Sequence, residues 1–379
     1  MWEYSDGYNA LTNTNGRMGY TEAKPIISNV NTGTAVIPAV FLSGGYNMPE
    51  LPADSTDGAI PAYTKVEGKS LYVLNANTGA LVAKYLYGAS ESTSVVNGAS
   101  VHATPDFKYA ITAPPTVYDT DFNGVADSVF VMESGDYRGT TGQGGRIWKI
   151  DCYGDPTTWS KSKVYQADDG QTFYIAPTLG FDSVYNLWIF AGTGRRPQAT
   201  YDGDHNGTYD NTRGQILGFK NGINLSNSNL ENIRTQMLAG TGFTLTAGKS
   251  GYYFEMYSAE HEILFDPSPL FIKNVVYYQS FAPEGTGGGG TSSDPCSGDS
   301  GDSGKHYLYT MGIDSGATGI TISNPSVTNQ RVMGYGLLSG LKYKIYVGAG
   351  EIGGFKVTSN ASILLDNITG PMLWKENKN

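Results

Sequence analysis

The sequence predicts an all-β protein, and three observations predict it. Tyr occurs 27 times and Gly 50 times in 379 residues, joining a strand-favouring aromatic to a turn-favouring residue. Long amphipathic helix patterns are scarce, and Asn227 to Leu238 is the best helical candidate. Short apolar runs bounded by Gly, Asn, Asp and Pro recur in pairs along the chain.

Each pair joins an apolar strand, a variable loop and a second strand that carries an aromatic. The first is Val36-Gly45 with Ser70-Asn75. The second is Ser128-Gly135 with Gly145-Asp151, and the third Leu187-Gly194 with Gln215-Lys220. The fourth is Asn274-Phe281 with His306-Gly312, and the fifth Tyr343-Gly350 with Gly353-Thr358. After Asn75, the run Asn75-Ala-Asn-Thr-Gly79 turns into another strand, a common way to close a propeller blade. A unit of this kind cannot bury both faces alone, so radial stacking is expected, as a modified β-propeller with long inter-strand insertions. A β-sandwich array is the alternative. Five visible units are fewer than many propellers use. Met1 is followed at once by Trp2-Glu3-Tyr4, which reads as the middle of a domain and carries no signal peptide, so upstream sequence is expected. Met48 to Glu67 and the Gly/Ser/Asp-rich run 283–305 read as insertions, the second as a flexible loop. Residues 1–379 are expected to form one domain.

Charge narrows the function. A formal net charge of -10 argues against nucleic acid and anionic membranes as partners, and suits cations. Apolar runs such as Ile345 to Ala349 are too short to span a bilayer. Cys152 and Cys296 fit no metal or redox motif. They are either two structural thiols or one disulfide.

The chemistry concentrates in Asp119-Thr-Asp121-Phe-Asn123-Gly124-Val125-Ala-Asp127. Three carboxylates and an amide, broken by a turn glycine, place hard oxygens at calcium-loop spacing. The expected ligands are the side chains of Asp119, Asp121, Asn123 and Asp127 and the carbonyl of Val125. An EF-hand would need Glu at its twelfth position, where this chain has Phe130. The flanks, Pro115 to Tyr118 and Ser128 to Met132, read as strands, so the loop is expected to join strands and not helices. A hydrophilic hairpin turn is the plain alternative, because Asn-Gly favours such turns. Three carboxylates crowded without a cation would cost stability, however. The pattern recurs as Asp202-Gly-Asp204-His-Asn206-Gly207-Thr208-Tyr-Asp210. There Asp202, Asp204, Asn206, Thr208 and Asp210 are the expected ligands of a second ion.

Other motifs carry less. The repeated Gly-Asp-Ser-Gly at 298–304 lies in low-complexity sequence without a partner histidine for a serine protease. Gly348-Ala-Gly350-Glu-Ile-Gly353 lacks the following helix of a dinucleotide site and reads as a hairpin turn. His102, His205, His261 and His306 read as surface or structural residues, and the five tryptophans as packing residues. No acid/base pair stands apart from the acidic loops, so no enzyme is expected.

The succession Trp2-Glu-Tyr4, Leu71 to Gly79, Asp119 to Asp127, Gly145-Arg-Ile-Trp-Lys-Ile-Asp151 and Phe190-Ala-Gly-Thr-Gly-Arg195 resembles the C-terminal propeller of the type IV pilus tip-associated adhesins, the PilC/PilY family. So does Asp266 to Tyr278, followed by Phe281-Ala-Pro and a Cys-containing Gly-rich loop before His306-Tyr-Leu-Tyr309. The resemblance implies a module displayed outside the cell at the pilus tip after export through the periplasm. It implies calcium held by Asp119, Asp121, Asn123, Val125 and Asp127 that regulates pilus extension against retraction and surface attachment. Its partners would be pilus subunits or minor pilins and a host or abiotic surface. An integrin-binding Arg-Gly-Asp is missing; Arg138-Gly-Thr140 is the nearest run. Quinoprotein dehydrogenases share the Thr-Gly turns and Trp-bearing strands, so the expected fold is quinoprotein-like. They bring a vicinal disulfide and pyrroloquinoline quinone, and this chain has no adjacent cysteines. A surface protein in which calcium serves stability alone is the third reading.

Overall fold

The structure, a computed structural model, describes residues 2–4, 18–19, 21, 23–46, 67–135, 143–194, 214–239, 241–256, 263–264, 268–272, 274–282, 305–313, 342–348, 351–358 and 362–365. The chain is all-β. First come β1 (Ile26–Asn31), β2 (Val36–Ser43), β3 (Ser70–Asn75), β4 (Leu81–Tyr87), β5 (Ser92–Val96) and β6 (Ala99–Thr104). Next are β7 (Thr116–Tyr118), β8 (Val125–Ala126), β9 (Ser128–Glu133), β10 (Arg146–Asp151) and β11 (Ser160–Gln166). Then follow β12 (Thr178–Phe181), β13 (Leu187–Gly192), β14 (Gln215–Lys220), β15 (Leu230–Asn232), the short helix α1 (Arg234–Leu238) and β16 (Gly251–Glu255). Last are β17 (Ile263–Leu264), β18 (Leu270–Ile272), β19 (Val275–Ala282), β20 (Lys305–Gly312), β21 (Lys342–Gly348), β22 (Glu351–Thr358) and β23 (Ser362–Leu365).

These strands form five sheets that follow chain order, apart from β8. Sheet I runs β5-β6-β4-β3-β2-β1-β8 and sheet II β11-β10-β9-β7. Sheet III runs β12-β13-β14-β16-β15. Sheet IV places β17, β18 and β20 against β19, and sheet V is β21-β22-β23. All five strand pairs read from the sequence are antiparallel neighbours: β2 with β3, β9 with β10, β13 with β14, β19 with β20, and β21 with β22. The strands on either side of Gly348 to Gly353, read as a hairpin from the sequence, pair with Gly348 opposite Glu351; residues 349–350 lie outside the described residues.

Sheets I to IV stack face to face in series. β9 is buried along its whole length because both of its faces are covered. Val129 and Val131 enter a core with Phe41, Val73 and Tyr85 of sheet I. Phe130 and Met132, on the opposite pleat, enter a core with Ile189, Leu217 and Phe219 of sheet III. β13 repeats the alternation: Ile189 and Ala191 face sheet II, while Trp188 and Phe190 join Val276, Tyr278 and Tyr309 of sheet IV. Burial on both pleats explains why these strands read as continuous apolar runs. Serial stacking of chain-consecutive, mainly antiparallel sheets resembles the packing of propeller blades more than the two layers of a sandwich. Among the described residues the sheets do not close into a ring.

The helix expected over Asn227 to Leu238 is corrected. Asn227–Asn229 is a 3-10 turn, Leu230–Asn232 is β15, and only Arg234–Leu238 is α-helical. The parallel ladder of β15 on β16 claims the segment, and Leu230 is drawn into the core shared with sheet II. Tertiary pairing here overrides a weak local pattern. The run 202–210, residues 136–142 and Cys296 lie outside the described residues. Among the described residues no helix is long and apolar enough to cross a membrane.

Candidate metal loop between two strands

The Asp119–Asp127 loop joins β7 to β9, which pair antiparallel with Tyr118 opposite Ser128. Its strand-to-strand setting is therefore the one the flanking residues predict. The loop is not a bare turn. Within it β8 pairs parallel with β1, Asn29 lying opposite Val125. The Asn29 side-chain amide donates to the Gly124 carbonyl at 3.0 Å. The Asp127 amide donates to the Tyr118 carbonyl, and the Cys152 amide to the Asp127 carbonyl at 2.8 Å. One loop is thus fastened to sheet I, to its own hairpin and to the end of β10.

Carboxylate oxygens of Asp119, Asp121 and Asp127 all lie within 4.8 Å of one another. The backbone organises them. Gly124 donates to Asp119 Oδ2 at 2.7 Å, and Asn123 to Asp119 Oδ1 at 3.2 Å. Thr120 donates to Asp127 Oδ2 at 2.7 Å. Asn123 offers its Nδ2 to Asp121 Oδ2 at 2.9 Å and accepts the Val125 amide on Oδ1 at 2.7 Å. Gly124 sits at φ 84, a conformation that glycine adopts without a Cβ clash and that lets the chain reverse around the carboxylates. Phe122, at the tip, takes φ 58, which is strained for a bulky residue.

Electrostatics follow from this packing. Desolvation is the largest single effect on Asp119 and works against its anion, but the hydrogen bonds from Gly124, Asn123, Asp121 and Phe122 together outweigh it and hold the carboxyl below the usual range. Burial, and then the charges of Asp127 and Asp119, push the Tyr118 phenol above its usual value against a Thr120 hydrogen bond. The donor set fits a hard cation. Oxygens across a calcium ion are at most about 5 Å apart, since each bond is about 2.3–2.6 Å. The three aspartates meet that spacing, and Asp119 and Asp121 are oriented by amides that would remain in place around an ion. Asn123 belongs to the same loop, with its Oδ1 already accepting one backbone amide.

Sequence reasoning missed a second polar centre. Glu133 is fully buried at the far end of β9. It accepts from the Tyr109 amide at 2.7 Å and from Trp148 Nε1 at 2.9 Å, and pairs with Arg146 at 3.3 Å. The cross-strand register of Arg146 opposite Glu133 is the signal that reveals it, and it emerges once the β9–β10 pairing is known. His102, expected to be a surface or structural residue, is buried, stacked on Tyr85, and placed between Thr93 and the Pro156 carbonyl. Trp148, Trp159 and Trp188 are packing residues as expected, whereas Trp2 is exposed. Cys152 is buried beside the Ala126 carbonyl, and burial pushes its thiol up to about 12.

No protein-family model and no curated protein matches the chain. Among solved structures, an alpha-L-arabinanase of Cellvibrio cellulosa is similar at 10% identity and a TM-score of 0.30, covering 91% of each chain. A likeness at that level carries no argument about this chain.

Proposed function

We propose that this chain is the calcium-binding, propeller-like module of a type IV pilus-associated adhesin, and that it is not an enzyme. The observation that carries the calcium reading is the meeting of Asp119, Asp121 and Asp127 on a braced strand-to-strand loop. The pilus setting rests on the resemblance in sequence. A bound calcium would supply positive charge that offsets the carboxylate repulsion.

The residues do the rest. Asp119 and Asp121 are held by the Asn123 and Gly124 amides, so their carboxylates stay in place. Asp127 ties the loop exit to Thr120 at its entry. Asn123 locks the turn through Val125. Fixing these four residues fixes the tip of the loop, the surface that a pilus subunit or minor pilin would read. Loss of the cation leaves three anions in mutual repulsion and shifts the loop population, which couples calcium to pilus extension against retraction. The run Asp202, Asp204, Asn206, Thr208 and Asp210 is proposed as a second site of the same design. The module would work at the cell surface, on the pilus.

The test is a strain that carries Asp121→Ala. Surface attachment and pilus retraction should lose their dependence on calcium while the protein is still displayed. Unchanged calcium dependence in that strain would overturn the regulatory reading. Normal pilus behaviour together with a calcium-dependent melting temperature would favour the purely structural role.

A further inference from the structure

One end of the sheet stack carries an aromatic surface that extends outward from the tip of the metal loop and deepens the partner-docking role proposed for that tip. The loop tip of sheet II and the β12–β13 turn of sheet III meet there. Phe181, the last residue of β12, lies 6.2 Å from Phe122 and 6.1 Å from Tyr118 between ring centroids. The turn after Phe181 is built by Asp182. Its carboxylate accepts the amides of Val184 and Asn186 and the indole N–H of Trp188. That turn is rigid, yet it directs its apolar residues outward. Val184 is 72% exposed, Tyr185 86% and Phe122 77%.

Two of these residues are costly where they stand. Phe122 and Tyr185 both take positive φ, 58 and 63, where Gly or Asn would sit without strain. An exposed aromatic in a strained conformation on each of two adjacent turns costs folding energy, and such strain concentrates at working surfaces. Val36 at the start of β2, Val96 at the end of β5, and Tyr153 and Ile223 in the loops after β10 and β14 are exposed as well.

We infer that Phe122, Phe181, Val184 and Tyr185 form a protein-docking surface for a partner that presents apolar side chains flanked by Lys or Arg. Charge selects this occupant. Asp119, Asp121 and Asp127 border the patch, and a cation of charge two leaves that border acidic. Isologous pairing of two copies would bring two such acidic loops together within a protein of net charge -10. An anionic bilayer meets the same repulsion. A basic rim around an apolar anchor complements the patch, with the aromatics as the desolvated centre. The surface goes beyond the calcium reading, because its aromatics are not ion ligands.

The probe is a fluorescein-labelled octapeptide of alternating Lys and Phe, followed by anisotropy on the whole chain with calcium and with chelator. Its controls alternate Glu with Phe and Lys with Ser. Phe122→Asn and Tyr185→Asn keep the backbone conformation, so the melting temperature should hold. Saturable binding of the Lys/Phe peptide, at least tenfold tighter than either control and weakened tenfold or more by the double variant, is expected. Equal binding of Lys/Ser, or no effect of the variants, would overturn the inference. So would light scattering that shows a dimer dissolved by Tyr185→Asn, or sedimentation with phosphatidylserine vesicles abolished by the same change. Peptide binding in a protein that takes up no calcium would separate this inference from the metal reading.

Discussion

Deleting the Glu133 carboxylate is the most informative perturbation of the fold. The side chain is fully buried and serves three donors at once: the Tyr109 amide, the Trp148 indole and Arg146. Glu133→Ala removes the counter-charge from a guanidinium that is itself buried, and it strips an acceptor from two further donors. Removing one partner of a buried ion pair costs about 3–5 kcal/mol. Glu133→Gln keeps the volume and one acceptor oxygen, so it should cost less, about 1–3 kcal/mol. The assay is equilibrium urea unfolding followed by circular dichroism, with the slope compared among the three proteins. An unchanged slope and a midpoint that falls in the order Glu, Gln, Ala are expected. A loss below about 1 kcal/mol in the alanine variant would refute the reasoning, because it would mean that these donors find water or other acceptors at no cost.

Three further predictions are independent of that one. Burial lowers the His102 pKa below 6.5 despite the Pro156 hydrogen bond and the Glu91 charge, so folded His102 takes up its proton less readily than unfolded His102. Its contribution is whole above pH 6.5 and is lost as pH falls through the lower folded value, so His102→Gln should flatten the fall in melting temperature below pH 6.5. With its thiol buried and pushed up to about 12, Cys152 should resist alkylation at pH 8 in the native protein and react in denaturant, read by peptide mass mapping; fast native labelling would contradict its packing. A Cβ on Gly251 would come within 2.3 Å of the Gly218 carbonyl oxygen across the β14–β16 ladder, so Gly251→Ala should cost about 1–3 kcal/mol in urea unfolding.

The strand pairs were legible because both pleats of the inner strands are covered. Residues 187–191 and 129–132 therefore read as continuous apolar runs, followed by Gly192 and Gly135. The loop was legible for a different reason. Cation chemistry needs oxygen ligands at fixed spacing, and its flanks are unambiguous strands. The polar edge of sheet I was not legible: Ser92–Val96 is exposed at every position and has no alternation to read. The parallel docking of β8 on β1 was hidden too, because two residues hold no periodicity. The Glu133 cluster depends on Tyr109, Arg146 and Trp148, which are brought together by register and not by sequence neighbourhood. Asn227 to Leu238 misled because Asn227–Asn229 form a 3-10 turn and Leu230, the first apolar residue of the segment, serves a strand.

Calcium titration by calorimetry, on the wild type and on Asp121→Ala and Asp204→Ala, tests the central claim most directly. The first loop should bind with a dissociation constant of about 10⁻⁴–10⁻³ M, the range of extracellular modules. Its heat should vanish in Asp121→Ala and persist in Asp204→Ala, which should lose a separate second site. Absence of heat from the wild type at millimolar calcium would contradict the assignment of Asp119, Asp121 and Asp127 as a calcium site.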